Sequence, residues 1–259
     1  MPSNLEYLRN SGFHESQVSH ARTVRGRHLM GRLQLLRLRI LASIAKGRVL
    51  DVGSGDSYLD EIIASSGLEV VAVDFVTAFL HEIRMRNKSK DFKIAYVRAC
   101  VEALPFRNAT FDTIIMAELI EHLPRPDKAI FGMMDYLAKN GHVLISTPNR
   151  LTNPTGVGTP SHLNVFTYWS LYKLLERFSM NVRFKPYPLF PALPASLHRL
   201  LYRVGFRKYA VTEVKHRGVL ETLLYKVTKV TMHIFPLAPF LAFSLICEAW
   251  LSEGARIKK

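Results

Sequence analysis

Cysteine is nearly missing from this chain. Only Cys100 and Cys247 occur in 259 residues, far apart and each among apolar neighbours. That excludes a disulfide framework, a thiolate zinc cluster and a C-x-x-C redox pair, and fits a reducing compartment with two buried thiols. An apolar leader is lacking as well. The opening stretch MPSNLEYLRNSGFHES is polar, which is not the pattern of a secretory signal, so the cytoplasm is the expected location. One stretch resembles a membrane segment, the uncharged Val230 to Cys247. It is broken by His233, Pro236 and Pro239 and is marginal in length for a spanning helix. Acid is the other shortage. Against 35 basic side chains stand 21 acidic ones, a net charge of +14, which favours nucleic acid, anionic lipid headgroups or acidic substrates as partners. With 48% hydrophobic and 22% charged residues the chain reads as globular, long enough for one domain or one domain with a cap.

The spacing predicts a helix over Arg22 to Lys46. Leu29, Leu33, Leu36, Ile40 and Ile44 form one apolar stripe, and Gly47 ends it. Arg22, Arg25, Arg27, Arg32, Arg37 and Arg39 fill the other faces. They read as a solvated face, or more sharply as a docking surface for anionic lipid or RNA. From Gly47 onward strands alternate with amphipathic helices. RVLDV, EVVAVDF, KIAYVRAC, FDTIIMAEL and GHVLIST are strands; YLDEIIASSG, VTAFLHEIRMRNKS and PDKAIFGMMDYLAK are helices. That order means βαβ units and a parallel sheet. PNRLTNPTGVGTPSH then reads as a long loop, a candidate lid, before a helix from Thr167 to Phe178 and a strand near Asn181 to Phe184. The expected organisation is a basic helical segment (1–46), a core (47–184), a proline-punctuated helical cap facing membrane or substrate (185–239), and a last strand with a basic tail (240–259).

The stretch VLDVGSGDSY, Val49 to Tyr58, ends a strand with an acid and turns on two glycines. A dinucleotide-binding turn needs G-x-G-x-x-G, but Tyr58 stands at the third glycine's place. Gly53 and Gly55 allow positive φ and close approach of a ligand. Asp51 is placed to orient the loop or reach an ammonium group. Asp74, at the end of the next strand, is placed to accept both hydroxyls of a ribose. A ligand with a ribose and no pyrophosphate fits, and S-adenosylmethionine is one.

The stretch from Val49 to Phe178 resembles the class I S-adenosylmethionine-dependent methyltransferases. VLDVGSGDS is similar to their first motif and VVAVD to their second, while CVEALPFRNATFDTIIMAELIEHL matches a segment many members write as D-A-x-x-L-P-F followed by F-D. The resemblance implies an α/β fold, a doubly wound Rossmann-like sheet of about seven strands, with the last strand over Ala242 to Trp250. It implies ribose binding by Asp74 with Phe75 beside it, and places Cys100 and Val101 against the adenine. Cys100 stands where members usually have aspartate, so backbone is expected to meet the adenine amino group.

A second constellation lies in AELIEHL. On a helical turn, Glu118, Glu121 and His122 would share one face at i, i+3 and i+4, and Glu118 would also border the cofactor. His162, beyond the candidate lid, would close the site. His122, Glu118 and His162 are the candidate catalytic side chains. Glu118, Glu121, His122 and His162 make a plausible divalent site for magnesium, manganese or zinc. The metal-free alternative has the histidine packing over the methionine tail or touching substrate. E-x-x-E-H with a later histidine is similar to the ubiquinone-pathway O-methyltransferases, and the same ligand types occur in small-RNA terminal 2′-O-methyltransferases. The expected reaction is O-methylation of a small lipophilic acceptor, with an anionic membrane as possible surface and RNA as the alternative substrate.

Overall fold

The computed structural model describes residues 29–55, 58–152, 161–185 and 244–252. The expected cap, the arginines before Leu29 and the greater part of the uncharged Val230 to Cys247 stretch lie outside the described residues. Among the described residues, no helix is long and apolar enough to cross a membrane.

Helix α1 (Leu29–Ile44) leads into β1 (Val49–Val52), α2 (Leu59–Ala64), β2 (Val70–Asp74), α3 (Thr77–Arg86) and β3 (Ile94–Arg98). There follow β4 (Phe111–Ala117), a 3₁₀ turn (Ile120–His122), α4 (Pro126–Tyr136), β5 (Leu137–Pro148), α5 (Tyr168–Glu176), β6 (Met180–Phe184) and β7 (Ser244–Leu251). The strands form a single seven-stranded sheet in the order β3-β2-β1-β4-β5-β7-β6. β7 is antiparallel to both of its neighbours, and the strands from β3 to β5 are mutually parallel. This is the doubly wound α/β sheet expected from the alternation of elements, and β7 occupies the stretch assigned to the last strand.

Strand alternation splits the core into two. Leu50, Val52, Ile114, Met116, Val143 and Ile145 point to the face covered by α4 and α5. Val49, Val70, Ile115, Leu144 and Ile246 point to the face covered by α1 and α2. With both faces covered, the central strands are apolar throughout rather than alternating. β3 at the edge is only partly buried.

Two local differences from the sequence reading have clear causes. Helix α4 stops at Tyr136, not at Lys139, because Leu137 already pairs with Phe111 on β4. Helix α1 is also rotated from the expected stripe. Leu33, Leu38 and Leu41 are its most buried side chains, so the core face includes positions 33, 37 and 41, one turn apart. Arg37 therefore points inward, and the expectation that it belongs to the outer basic face is corrected. Helix α5 starts as the residues dictate: the Thr167 hydroxyl accepts from Ser170 N–H at 3.2 Å, and Ser170 Oγ accepts from Thr167 N–H at 2.8 Å.

Candidate functional site

At the carboxyl end of β1 the chain turns on Gly53 and Gly55, both left-handed at φ +72° and +56°. The Gly53 and Ser54 N–H groups donate to the Val73 carbonyl at 2.8 and 3.0 Å, tying the turn to the end of β2. A Cβ on Gly53 would lie 2.8 Å from the Leu119 side chain, whereas one on Gly55 would meet nothing within 4 Å among the described residues. The turn is thus packed on one side and open on the other. Asp74 braces it: one carboxylate oxygen accepts from Gly55 N–H at 2.9 Å and the other from Val76 N–H at 2.7 Å. A carboxylate offers about four acceptor sites, so these two bonds do not exhaust it.

Asp51 is placed differently from the expectation. It is 1% exposed, and its carboxyl lies against that of Asp60 with no other hydrogen-bond partner among the described residues. Burial first, then the Asp60 charge, raises Asp51 well above the carboxylate range. Burial also raises Asp60, to about 7. Two buried carboxyls in contact cannot both ionise cheaply, so the pair holds a proton. Among the described residues Asp51 makes no hydrogen bond to the loop's N–H groups.

Phe75, Cys100 and Val101, the residues expected to flank the adenine, lie just beyond the ends of β2 and β3. Ala99 N–H donates to the Asp74 carbonyl. Phe75 is half-buried, with the Arg98 guanidinium 5.4 Å from its ring centroid. Val101 packs on the core. The Cys100 thiol donates to Glu102 at 2.9 Å, and burial raises its pKa, so it remains a neutral thiol.

The second constellation forms by another route than a shared helical face. Glu118 adopts φ +52°, a left-handed conformation that costs a non-glycine residue on the order of 1–3 kcal/mol. Its N–H donates to the Ser146 carbonyl at 2.8 Å, and only the short turn Ile120–His122 follows. The reversal sends Glu118 toward α1, where Arg37 meets it at 2.9 Å. Glu118 is thus engaged by Arg37 and is not among the side chains whose ligand atoms converge, although its charge still acts on Glu121.

Glu121, His122 and His162 do come together, each offering a ligand atom within 4.8 Å of the others. Glu121 is 2% exposed and accepts from the Thr147 hydroxyl at 3.0 Å, while its Oε1 has no hydrogen-bond partner among the described residues. Burial, followed by the Glu118 charge, raises the Glu121 carboxyl well above its usual range. His122 Nδ1 lies 2.9 Å from the Ser161 carbonyl. A carbonyl only accepts, so Nδ1 carries the proton and Nε2 is the basic nitrogen of the neutral ring. The His122 and His162 rings meet edge to face at 4.8 Å. Asn164 holds this arrangement: its N–H donates to the Glu121 carbonyl at 3.0 Å and its Nδ2 to the Leu123 carbonyl at 2.6 Å. Leu119, packed on Gly53, joins the two halves of the site.

Sequence reasoning missed Arg37, Asp60, Leu119, Thr147 and Asn164. The one available signal was Asn164 in SHLNVFT, a polar residue between apolar ones close to a candidate ligand.

Comparison with known proteins follows this geometry. Residues 50–145 match the family model for a methyltransferase domain. The chain is 34% identical over 120 residues to a ubiquinone biosynthesis O-methyltransferase of Alkalilimnicola ehrlichii, covering 44% of this chain and 49% of that protein. It is 30% identical over 124 residues to the same-named protein of Xylella fastidiosa, covering 48% and 50%. The chain spans about half the length of these curated relatives. Phosphoethanolamine N-methyltransferase 2 of Haemonchus contortus, solved with S-adenosyl-L-methionine, superposes with a TM-score of 0.62 at 17% identity. That match covers 97% of this chain and 60% of the other, and shows a shared fold.

Proposed function

We propose that this chain, whose residues 50–145 match a methyltransferase domain, is an S-adenosylmethionine-dependent methyltransferase of class I that methylates an oxygen of a small lipophilic acceptor. The observation that carries the acceptor chemistry is the Glu121–His122–His162 group, joined through Leu119 to the Gly53 turn. The name shared by the curated relatives, ubiquinone biosynthesis O-methyltransferase, supports an oxygen acceptor.

The residues around the turn fit the cofactor. Gly55 leaves its open side clear, Asp74 would accept the ribose hydroxyls, and Phe75 and Val101 would flank the adenine. The Cys100 thiol is engaged by Glu102, so backbone would meet the adenine amino group. S-adenosylmethionine supplies a methyl group already activated on a sulfonium. The chain's own work is to align the acceptor, exclude water and remove its proton. His122 Nε2 is the base for that proton, oriented by the Ser161 carbonyl. The residues also fit a divalent ion: Glu121 Oε1 is a buried acceptor without a partner, and two imidazoles complete the set. One carboxylate with two imidazoles favours zinc or manganese over magnesium. Such an ion would supply Lewis acidity toward the acceptor oxygen.

The lipophilic character rests on the surface beside His162. Leu163 and Val165 flank Asn164 and are 46% and 38% exposed, Leu151 is 63% and Trp169 58% exposed. Leu163 and Val165, next to His162 and Asn164, would be the part of this surface that meets an apolar ligand or a bilayer. The basic excess would favour an anionic membrane at that surface.

Labelled methyl transfer to a lipid extract and to total RNA decides the acceptor class. Label in the lipid fraction is expected. Label in RNA alone overturns the lipophilic reading in favour of the RNA alternative, which the +14 charge motivates. Chelation decides the metal: full activity in chelated enzyme with a dead His122→Ala variant leaves His122 as a direct base.

A further inference from the structure

A second cleft opens away from the methyltransferase site, between α3 and the edge strand β3, with a volume of about 460 Å³. That lies within the usual range for small-molecule sites. One wall comes from α3 and the residues just after it: His81, Arg84 and Lys88 recur at i, i+3 and i+7 and so line one face. The other wall is β3 and its approach, where Phe92, Ile94 and Tyr96 alternate onto the same side. Asn87, 6% exposed, lies between them and has its Oδ1 without a hydrogen-bond partner.

The cations of this region divide into two sets. Arg86 and Lys90 are both bound to Glu61, and Arg86 also covers the Tyr58 ring. His81, Arg84 and Lys88 are exposed and have no ion pair among the described residues. Two solvent-facing cations, Arg84 and Lys88, with His81 beside them, stand opposite Tyr96 and Phe92, the latter with Lys90 Nζ 5.2 Å from its ring centroid. They combine phosphate attraction with an aromatic surface, the pairing that binds nucleotides of single-stranded nucleic acid. A phosphate or a lipid headgroup alone would have no use for the aromatic wall. β3 also ends the sheet, so one edge of its backbone has no strand partner among the described residues and can meet base edges.

We propose that the α3–β3 cleft binds a nucleoside phosphate, with its phosphate on Arg84 and Lys88 and its base against Tyr96 and Phe92. The site is independent of the methyl acceptor and holds whether that acceptor is a lipid or RNA. Free nucleotides and single-stranded RNA share this chemistry, and the test separates them.

The probes are adenosine monophosphate, a short fluorescein-labelled single-stranded RNA, inorganic phosphate and anionic phosphatidylglycerol vesicles, each titrated against the full chain. Arg84→Ala/Lys88→Ala should weaken nucleotide binding by about tenfold or more and flatten its salt dependence. Tyr96→Leu, which keeps the site apolar, should weaken it by about fivefold or more through lost stacking. The matched pair Arg125→Ala/Lys128→Ala, on a different exposed helix start, should leave it unchanged and so control for overall charge. S-adenosylmethionine affinity and thermal unfolding, unaltered in all variants, show that the fold is intact. RNA bound much more tightly than the mononucleotide identifies RNA as the source; equal binding identifies the free nucleotide. Phosphate or vesicles binding as well as nucleotides, or binding indifferent to Tyr96→Leu, overturns the proposal. A loss no greater than that of the Arg125/Lys128 pair does so too.

Discussion

Arg37 of α1 holds Glu118 of the β4 exit through an ion pair of 2.9 Å, with side-chain exposures of 14% and 24%. The contact crosses from the first helix to the strained residue that redirects the chain between β4 and the Glu121–His122 turn. Removing Arg37 leaves a partly buried carboxylate in a left-handed residue with nothing to neutralise it. Arg37→Ala should therefore cost about 1–3 kcal/mol of stability, between the values for exposed and buried pairs. Methyl transfer should fall more than the loss of folded protein explains. Chemical unfolding beside turnover under fully folded conditions measures both. A double-mutant cycle with Glu118→Gln that shows no coupling would remove the ion pair from the account.

Asp74 braces the glycine turn through two backbone N–H groups and is the side chain proposed to accept the ribose hydroxyls. Asp74→Ala should lower S-adenosylmethionine affinity by about tenfold or more, since hydrogen bonds to a charged group contribute about 1.5–3 kcal/mol. Gly53→Val should do at least as much harm, because its Cβ would meet Leu119 at 2.8 Å in a left-handed residue. Calorimetric titration reads both. Unchanged binding in both variants would refute the cofactor site.

The Asp51–Asp60 pair predicts a pH dependence of stability. Asp60 titrates at 3.8 ordinarily and at about 7 in the fold. The folded state therefore holds a proton that the unfolded state has lost. Its contribution is complete below about pH 4, declines as pH rises through about 7, and is gone above. Replacing both carboxyls, Asp51→Asn with Asp60→Asn, should flatten this slope and equal or exceed the parent protein in stability at alkaline pH, a difference on the order of a few kcal/mol. Denaturant titrations across the acid-to-alkaline range test it; parallel profiles would show that the pair carries no proton.

Trp169, in the first turn of α5, is 58% exposed. Trp169→Ser should reduce recovery with anionic vesicles, and added salt should reduce it further as exposed charges are screened beyond roughly 10 Å at 0.1 M. Co-sedimentation measures this, and equal recovery of variant and parent protein would detach this side chain from the membrane.

The sheet was legible in the sequence because both its signals are local. Apolar strands covered on two faces read as continuous runs, the helices between them read as periodic stripes, and turn chemistry separates the two. The glycine turn and Asp74 were legible for the same reason. Backbone that must turn left-handed calls for glycine, and an acid at a strand's end sits beside that turn in any such sheet. His122 and His162 were nameable as candidates from residue type alone.

The tertiary structure decided which of those side chains meet. The spacing of Glu118, Glu121 and His122 implied one face only if a helix began at Glu118, and the left-handed turn there, set by its bond to Ser146, is a long-range contact. Arg37 read as solvated because periodicity gives a stripe without its rotation. Which face of α1 turns inward depends on how Leu33, Leu38 and Leu41 fit the sheet, and that fit carried an arginine into the site. Asp51 and Asp60 lie nine residues apart in the sequence, yet their shared proton arises only when packing strips water from both. Local pattern determines what each segment is; burial and the charges brought together across the fold determine what its side chains do.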